Sequence, residues 1–462
     1  MTETGKLRLT EKVGYGAGDM ASNFFFQTFN IFLLYYYTDV FGISAAAVGT
    51  MFFVSRLWDA VNDPLMGAVA DRTNTRLGKF RPYLLWMAVP YGVLGFAMFA
   101  NPDLGASGKL VYAWVTYTLM MMCYTAINVP YSALMGVMTP SSKERTVLAS
   151  FRFIGAFGGG LLISMLVRPL VQYLGAEDEA LGFRLTMALF AVLSILMFWF
   201  TFATTRERVT AGPDDQASLK NDLRILITSR PWLVLCFGAI FTLAQVAIRS
   251  AVTIHYFKYY VGDDGAPFLW FFDRTTVFMT SGALALVAGV ACTKLFSDRF
   301  EKKHALIGLS ILGAIGSALF YFIPPDQFWT MLVVNVVGAF IAGPTAPLVW
   351  AMYADVADYG EWKHGRRTTG LVFSASMFAQ KFGLTLGAGL SGWLLAAFGF
   401  EANVAQSETS LLGIRLMFTL LPATVAVLNV VVLSFYNLSD SKVLEIEREL
   451  TTRKAAASAQ PA

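Results

Sequence analysis

Asp59 and Asp63 stand one helical turn apart within Ala45–Ala70, a stretch otherwise apolar enough to cross a membrane. Arg56 and Asn62 fall on nearly the same helix face. A charge at mid-bilayer costs at least about 2.5–3.5 kcal/mol, so such residues face a polar cavity and mark function. Two carboxylates and an amide form a hard-oxygen cluster suited to a small cation. Two like charges so close also favour a proton or a metal ion held between them. Further ionisable groups stand in other apolar segments: Asp19, Arg152 and Lys381. At 1.5 Å per residue, Asp19 lies about 9 Å and Lys381 about 20 Å inside its expected helix, too deep for Lys381 to reach water by extending its side chain. Acids and bases on different spans can compensate one another around a central cavity.

The elements that position these groups are helices. The 462 residues are 56% hydrophobic and 14% charged, with mean hydropathy +0.56. Soluble domains average nearer 25% charged. Apolar blocks long enough to span recur along the chain, and Leu185–Thr205 and Leu416–Ser439 contain no charged residue. The expected fold is an all-α polytopic membrane protein with twelve transmembrane helices, roughly 13–38, 45–70, 82–100, 110–137, 147–174, 184–205, 231–260, 268–296, 304–323, 328–356, 368–399 and 411–437. Pro130, Pro344 and Pro347 are candidate kinks. The first twelve residues are charged and carry no signal-peptide core.

Loop charge gives an orientation. With the N-terminus inside, the inner segments hold 24 Lys and Arg, whereas the outer loops hold only Lys109. Both termini are therefore expected in the cytoplasm, the chain being a multi-pass protein of the plasma membrane, here the bacterial inner membrane. The expected domains are a six-helix bundle over 1–205, a middle loop over 206–230, a second six-helix bundle over 231–437 and a tail over 438–462. Within the tail, Lys442–Leu450 reads as an amphipathic stretch on the cytoplasmic face, and the last residues as disordered. The halves echo one another. Asp71-Arg72 and Asp298-Arg299 follow corresponding helices, Asn128 corresponds to Asp355 and Arg152 to Lys381, at a near-constant offset of half the chain. Two six-helix pseudo-repeats around a central site are a transporter architecture.

Several classes of chemistry are excluded. Gly78-Lys79 and Gly108-Lys109 are followed by Phe80 and Leu110, so there is no Walker A sequence, and HExxH and GxSxG are absent. Cys123, Cys236 and Cys292 fall in expected spans and read as packing residues. His255, His304 and His364 are scattered, His255 reading as a packing or interfacial residue. The chain is not expected to be an enzyme, to carry a cofactor or to bind nucleic acid. The segment Gly67–Pro82 contains Asp71, Arg72, Arg76, Lys79 and Arg81; these charges fix topology, and they could also form a cytoplasmic latch made in one conformation only. Arg249 and Arg274 are expected to pair with Asp273 or other polar groups.

The motifs GYGAGD (14–19), RLWDAVNDPLMG (56–67), GKFRPYL (78–84), NVPYSAL (128–134), ADVADYGEWKHGRR (354–367) and QKFG (380–383) resemble the glycoside–pentoside–hexuronide:cation symporters, the melibiose permease-like branch of the major facilitator superfamily. The resemblance runs from the first helix to the eleventh. It implies the major facilitator fold and symport of a sugar or glycoside with Na+ or H+ by alternating access. It also implies a cation site at Asp59, Asn62, Asp63 and Thr125, with Asp59 and Asp63 as the ligands if sodium is coupled. Sugar-binding positions match Asp19, Arg152 and Lys381, and a cytoplasmic gating region matches Asp355, Asp358 and Glu361. Melibiose-type members carry an acid where this chain has Asn128 and a tryptophan where it has Ser132. The less negative cavity favours a pentoside or hexuronide over a neutral galactoside. Asn128 can hydrogen-bond hydroxyls, and Tyr124, Tyr131 or Trp350 could stack on a sugar face.

The partners expected are thus a small-molecule glycoside, a monovalent cation and the lipid bilayer. A sodium-coupled lysolipid carrier on the same scaffold is the alternative within the fold. A membrane-embedded enzyme using the Asp59/Asp63 pair is the alternative outside it.

Overall fold

The computed structural model describes residues 7–139, 141–208, 226–365 and 369–459. These residues are almost entirely helical, with no strand beyond two isolated bridges, Thr75–Gly78 and Leu269–Phe272. We number the principal helices in chain order. Helix α1 is Leu9–Ile31 and runs on through Leu33–Tyr35 into a π-turn at Tyr36–Val40. Helix α2 is Ala45–Arg72, and α3 has two pieces, Arg81–Trp86 and Ala88–Ala97. Then come α4 (Ala106–Met138), α5 (Ser142–Gly175), α6 (Glu179–Thr204), α7 (Arg230–His255) and α8 (Arg274–Ala291). Helix α9 is Lys302–Leu319; α10 has two pieces, Phe328–Ala342 and Thr345–His364. Helix α11 is Thr369–Ala397, α12 is Glu408–Phe418 with Leu420–Ser434, and α13 is Asp440–Ala459.

Among the described residues, eight helical segments are long and apolar enough to cross a membrane. Neither α1 nor α2, which carry Asp19 and the Arg56–Asp63 charges, is among them, because those polar groups lower their hydropathy. Of the expected kink points, Pro344 sits at the break in α10, where its missing N–H cannot continue the helix. Pro130 lies within the uninterrupted α4. The eighth helix starts at Arg274 rather than near 268, since residues 268–272 close a turn and Asp273 caps the helix through Thr276 N at 2.7 Å.

The chain groups into two compact units. The first comprises Met1–Asp214, Ser250–Ala283 and Ala388–Ile414; the second comprises Asp215–Arg249, Leu284–Gly387 and Arg415–Ala462. The break at Asp214 falls in the middle connection, most of which, 209–225, lies outside the described residues. Two segments from the second half of the sequence join the first unit through a polar cluster around Asp39, described below.

In the first unit, glycines let α1 and α5 touch backbone to backbone. A Cβ on Gly16 would lie 2.6 Å from the Phe151 carbonyl oxygen, and one on Gly155 would overlap the Gly16 carbonyl. Small residues are how membrane helices approach this closely. Gly289 and Gly343 bring α8 against α10 in the second unit in the same way. The 78–81 turn is also pinned within the first unit. Glu207 accepts from the backbone N–H of Lys79, Phe80 and Arg81 at 2.9, 2.7 and 2.9 Å, an anion held by the first turn of α3. Gly78, at φ +111°, leaves room for that carboxylate.

In the second unit, α13 packs Val443, Ile446 and Leu450 into a core with Trp232, Met352, Tyr353 and Val356. Its helix continues to Ala459, beyond the expected Lys442–Leu450 stretch; residues 460–462 lie outside the described residues.

Candidate functional site

The first unit assembles most of the expected site along α4, whose residues Tyr124, Thr125 and Asn128 face three different partners. Toward α2, Thr125 Oγ1 lies 2.6 Å from Asp59 Oδ1 and 2.9 Å from Asp63 Oδ1. The Thr125 hydroxyl and one oxygen of each carboxylate thus gather three oxygens around one point. Thr125 and Asp59 are buried, and Asp63 is half-buried. The donor set, two carboxylates and a hydroxyl, fits an oxygen-preferring cation. Asn62 is half-buried on the same helix, but among the described residues its amide does not join these contacts. Arg56 does not pair with either carboxylate. It donates to Asn30 Oδ1 and to the Tyr117 hydroxyl, both at 3.2 Å.

Toward α1, Asn128 is held at both ends of its amide. Ser22 Oγ donates to its Oδ1 at 2.8 Å, and its Nδ2 donates to the Tyr124 carbonyl at 3.0 Å. One amide hydrogen and one oxygen lone pair remain for a ligand hydroxyl. Between α1 and α5, Arg152 Nε stands 3.4 Å from Asp19 Oδ1. Helices α1 and α5 run parallel and touch at Gly16 and Gly155, which leaves Arg152 about one turn below Asp19, within reach of its long side chain. A carboxylate with a guanidinium, beside a fixed amide, suits polyhydroxylated ligands, which both donate and accept.

The aromatic expectations divide. Tyr124 is half-buried, with its ring stacked on Phe26 at 5.8 Å. Tyr131 is not an open platform. It is fully buried, one face stacked on Tyr15 at 4.6 Å, with the Arg152 guanidinium 5.4 Å from its ring. Trp350, in the second unit, stacks on Phe373 at 5.6 Å. Lys381 is half-buried on α11 in the second unit.

The expected gating residues are placed as follows. The Asp71 side chain lies outside the described residues, and Arg72 is exposed at the end of α2. Asp355 pairs with Lys302 Nζ at 2.5 Å, and Lys302 also stands 3.7 Å from Asp440. Asp355 thereby ties α10 to the start of α9 and to the tail. Asp358 and Glu361 are half-buried further along α10, and Trp362 donates to Glu449 of α13 at 2.7 Å.

The structure gives Asp273 a partner other than Arg249 or Arg274, and gives the buried His255 polar neighbours. Asp273 pairs with Arg168 at 2.5 Å; Arg249 donates to Ser317 Oγ at 3.2 Å, a polar partner as expected, and lies against the Phe320 and Phe418 rings, while Arg274 lies over Phe268. Helix α5 reaches the start of α8 at this end, which loop charges alone do not reveal. His255 is fully buried, its Nε2 standing 3.2 Å from Thr38 Oγ1 and 3.4 Å from Asp39 Oδ2. Asp39 escaped notice because it reads as a loop residue just past the first helix. The one signal in the sequence is Lys258, a cation one turn beyond His255 near the same helix end, which a nearby carboxylate would pair with.

A family model described as MFS/sugar transport protein matches residues 14–440. The chain belongs to that family. This sugar-transport family member is 36% identical over 452 residues to a putative glycoside/cation symporter, YagG, of Escherichia coli strain K12, covering 98% of this chain and 96% of that one. It is 33% identical over 437 residues to the isoprimeverose transporter of Lactiplantibacillus pentosus, covering 92% and 88%. Among solved structures, the nucleoside transporter NupG superposes with a TM-score of 0.65 at 13% identity, covering 92% of this chain and 100% of that one, a likeness of fold. The family member is a multi-pass membrane transporter of the major facilitator superfamily, not an enzyme.

Proposed function

We propose that this transporter couples entry of a glycoside, of the pentoside or hexuronide kind, to a monovalent cation, Na+ or H+. The observation that carries the reading is the convergence of Asp59, Asp63 and Thr125 on one point, next to the Asn128 and Asp19–Arg152 group on the same α4 and α1 helices. Support comes from relatives whose names are those of glycoside/cation and isoprimeverose carriers. In this reading the cation binds Asp59 and Asp63 and relieves their repulsion. Asp19, Asn128, Arg152 and Lys381 then accept the sugar, with Tyr124 as an aromatic wall. Each ligand must favour the other's binding to the same degree, since linkage is reciprocal. Asp71, Arg72, Asp355, Asp358 and Glu361 serve the gate at the cytoplasmic end. The loop charges support cytoplasmic termini, which makes the Val40 end of α1 the outer end.

The test is uptake of radiolabelled glycosides, pentosides and hexuronides into proteoliposomes, with and without an inward Na+ or H+ gradient. Accumulation of one sugar class that requires one gradient is expected. Uptake of lysolipids in place of every sugar would overturn the reading.

A further inference from the structure

Asp39 is the hub of a second buried polar cluster, far from the Asp59 site. Its side chain is inaccessible to solvent. Around it gather groups from widely separated parts of the chain: Lys258 Nζ at 2.9 Å, His255 Nε2 at 3.4 Å, and the Tyr259 hydroxyl, which donates to Oδ1. Asn403, in the loop after α11, donates through Nδ2 to the Asp39 carbonyl at 2.6 Å and accepts from Lys258 at 2.8 Å. Beside the hub, Tyr35 donates to Glu179 at the start of α6. Arg168 of α5 reaches Asp273 at 2.5 Å and Asp263 at 4.0 Å. A cavity of 510 Å³ adjoins these groups, lined by Tyr35, Arg168, Glu179, Lys258 and Asp263 among others, so water can compete for the bonds.

The same end is closed by packing as well. A Cβ on Gly49 of α2 would lie 2.7 Å from the Gly389 carbonyl of α11, and one on Gly392 would lie 2.6 Å from Gly49 Cα. Trp393 covers the contact, its Nε1 donating to Thr50 at 3.0 Å. Charges and close packing thus join the ends of α1, α2 and α5 to the ends of α7 and α11 and the start of α8.

Burying ion pairs adds little to stability once desolvation is counted, and their best-attested use is to specify one state. An alternating-access carrier must also separate its halves at the outer end once per cycle. We propose that Asp39, with Lys258, His255, Tyr259 and Asn403, is the latch of the outer gate, made when the outer mouth is shut and broken when it opens. Tyr35–Glu179 and Arg168–Asp273 flank it. The assignment rests on the transport reading and the orientation above, but not on which sugar or cation is carried.

The experiment uses the full chain with Cys123, Cys236 and Cys292 replaced by Ala. One reporter is Ala251→Cys, buried one turn inward of His255 on the same face of α7. The other, in a separate protein, is Ser132→Cys, one turn beyond Asn128 toward the inner end of α4. A membrane-impermeant maleimide is applied to the first from outside in right-side-out vesicles, and to the second from inside in inverted vesicles. Asp39→Asn and Lys258→Gln should each speed outer labelling by about tenfold, the order expected for losing a charge-assisted contact, and slow inner labelling. Asp264→Asn, an exposed change at the neighbouring turn, should move neither. Unchanged rates would overturn the latch. So would a rise at both reporters, which is the mark of general loosening. The labelling needs no substrate, so failure of the sugar assignment would leave its result readable.

Discussion

Replacing Asp63 by Asn tests whether the two carboxylates act as one cation site. The Thr125 hydroxyl oxygen stands 2.6 Å from one carboxylate oxygen and 2.9 Å from the other, and the sum of these distances bounds their separation at 5.5 Å. At an effective dielectric of about 20, two unit charges that close repel by at least about 3 kcal/mol. A bound cation relieves that repulsion, which adds to its own attraction. The Asn variant removes the repulsion beforehand at almost unchanged volume. The drive to take up a cation should fall by about 3 kcal/mol, roughly a hundredfold in affinity. The assay is sugar counterflow in proteoliposomes titrated with Na+ at fixed pH, then with H+ at fixed Na+. Half-saturation by the coupling ion should shift upward by about that factor, while sugar binding without the ion keeps its affinity. Unchanged half-saturation with full accumulation would refute the paired-carboxylate reasoning.

Asp19→Asn should raise the KM for sugar about tenfold or more, the order of a lost charge-assisted hydrogen bond, without shifting cation half-saturation in the absence of sugar; equal shifts in both would contradict separate subsites. Ser22→Ala should raise the sugar KM several-fold at unchanged thermal stability, because Asn128 loses the bond that orients its amide. Gly155→Val should abolish transport, since its side chain would force α1 from α5 and part Asp19 from Arg152; wild-type uptake would contradict that packing. Ile446→Ala, at a position 1% exposed, should cost about 2–5 kcal/mol in the detergent-solubilised protein, read as a lowered unfolding midpoint.

The charged groups deep in apolar segments were legible because a bilayer makes each one costly. Asp19, Asp59, Asp63 and Arg152 announce themselves by type and position alone. Their pairing was not legible. That Arg56 turns to Asn30 and Tyr117, and that Thr125 bridges the two aspartates, depends on helix rotation, which sequence spacing within α2 does not set. Tyr131 looks like a sugar platform in sequence and is closed off by Tyr15, a partner 116 residues away. The contact between Asp39 and His255 was not legible for a related reason. Each lies near a helix end, where a polar residue is ordinary, and only their meeting makes them informative. The break in α10 was legible at Pro344, because a missing N–H acts locally wherever the helix lies.

The most direct test of the central claim measures both fluxes together in one preparation. Proteoliposomes receive an outward gradient of the transported sugar, and entry or exit of Na+ and of H+ is followed without any imposed cation gradient. The coupled-transport account predicts that sugar efflux carries one of these cations outward in fixed proportion, and that Asp59→Cys abolishes the cation movement. Sugar movement with no accompanying flux of either cation, or cation movement unaffected by Asp59→Cys, would contradict it.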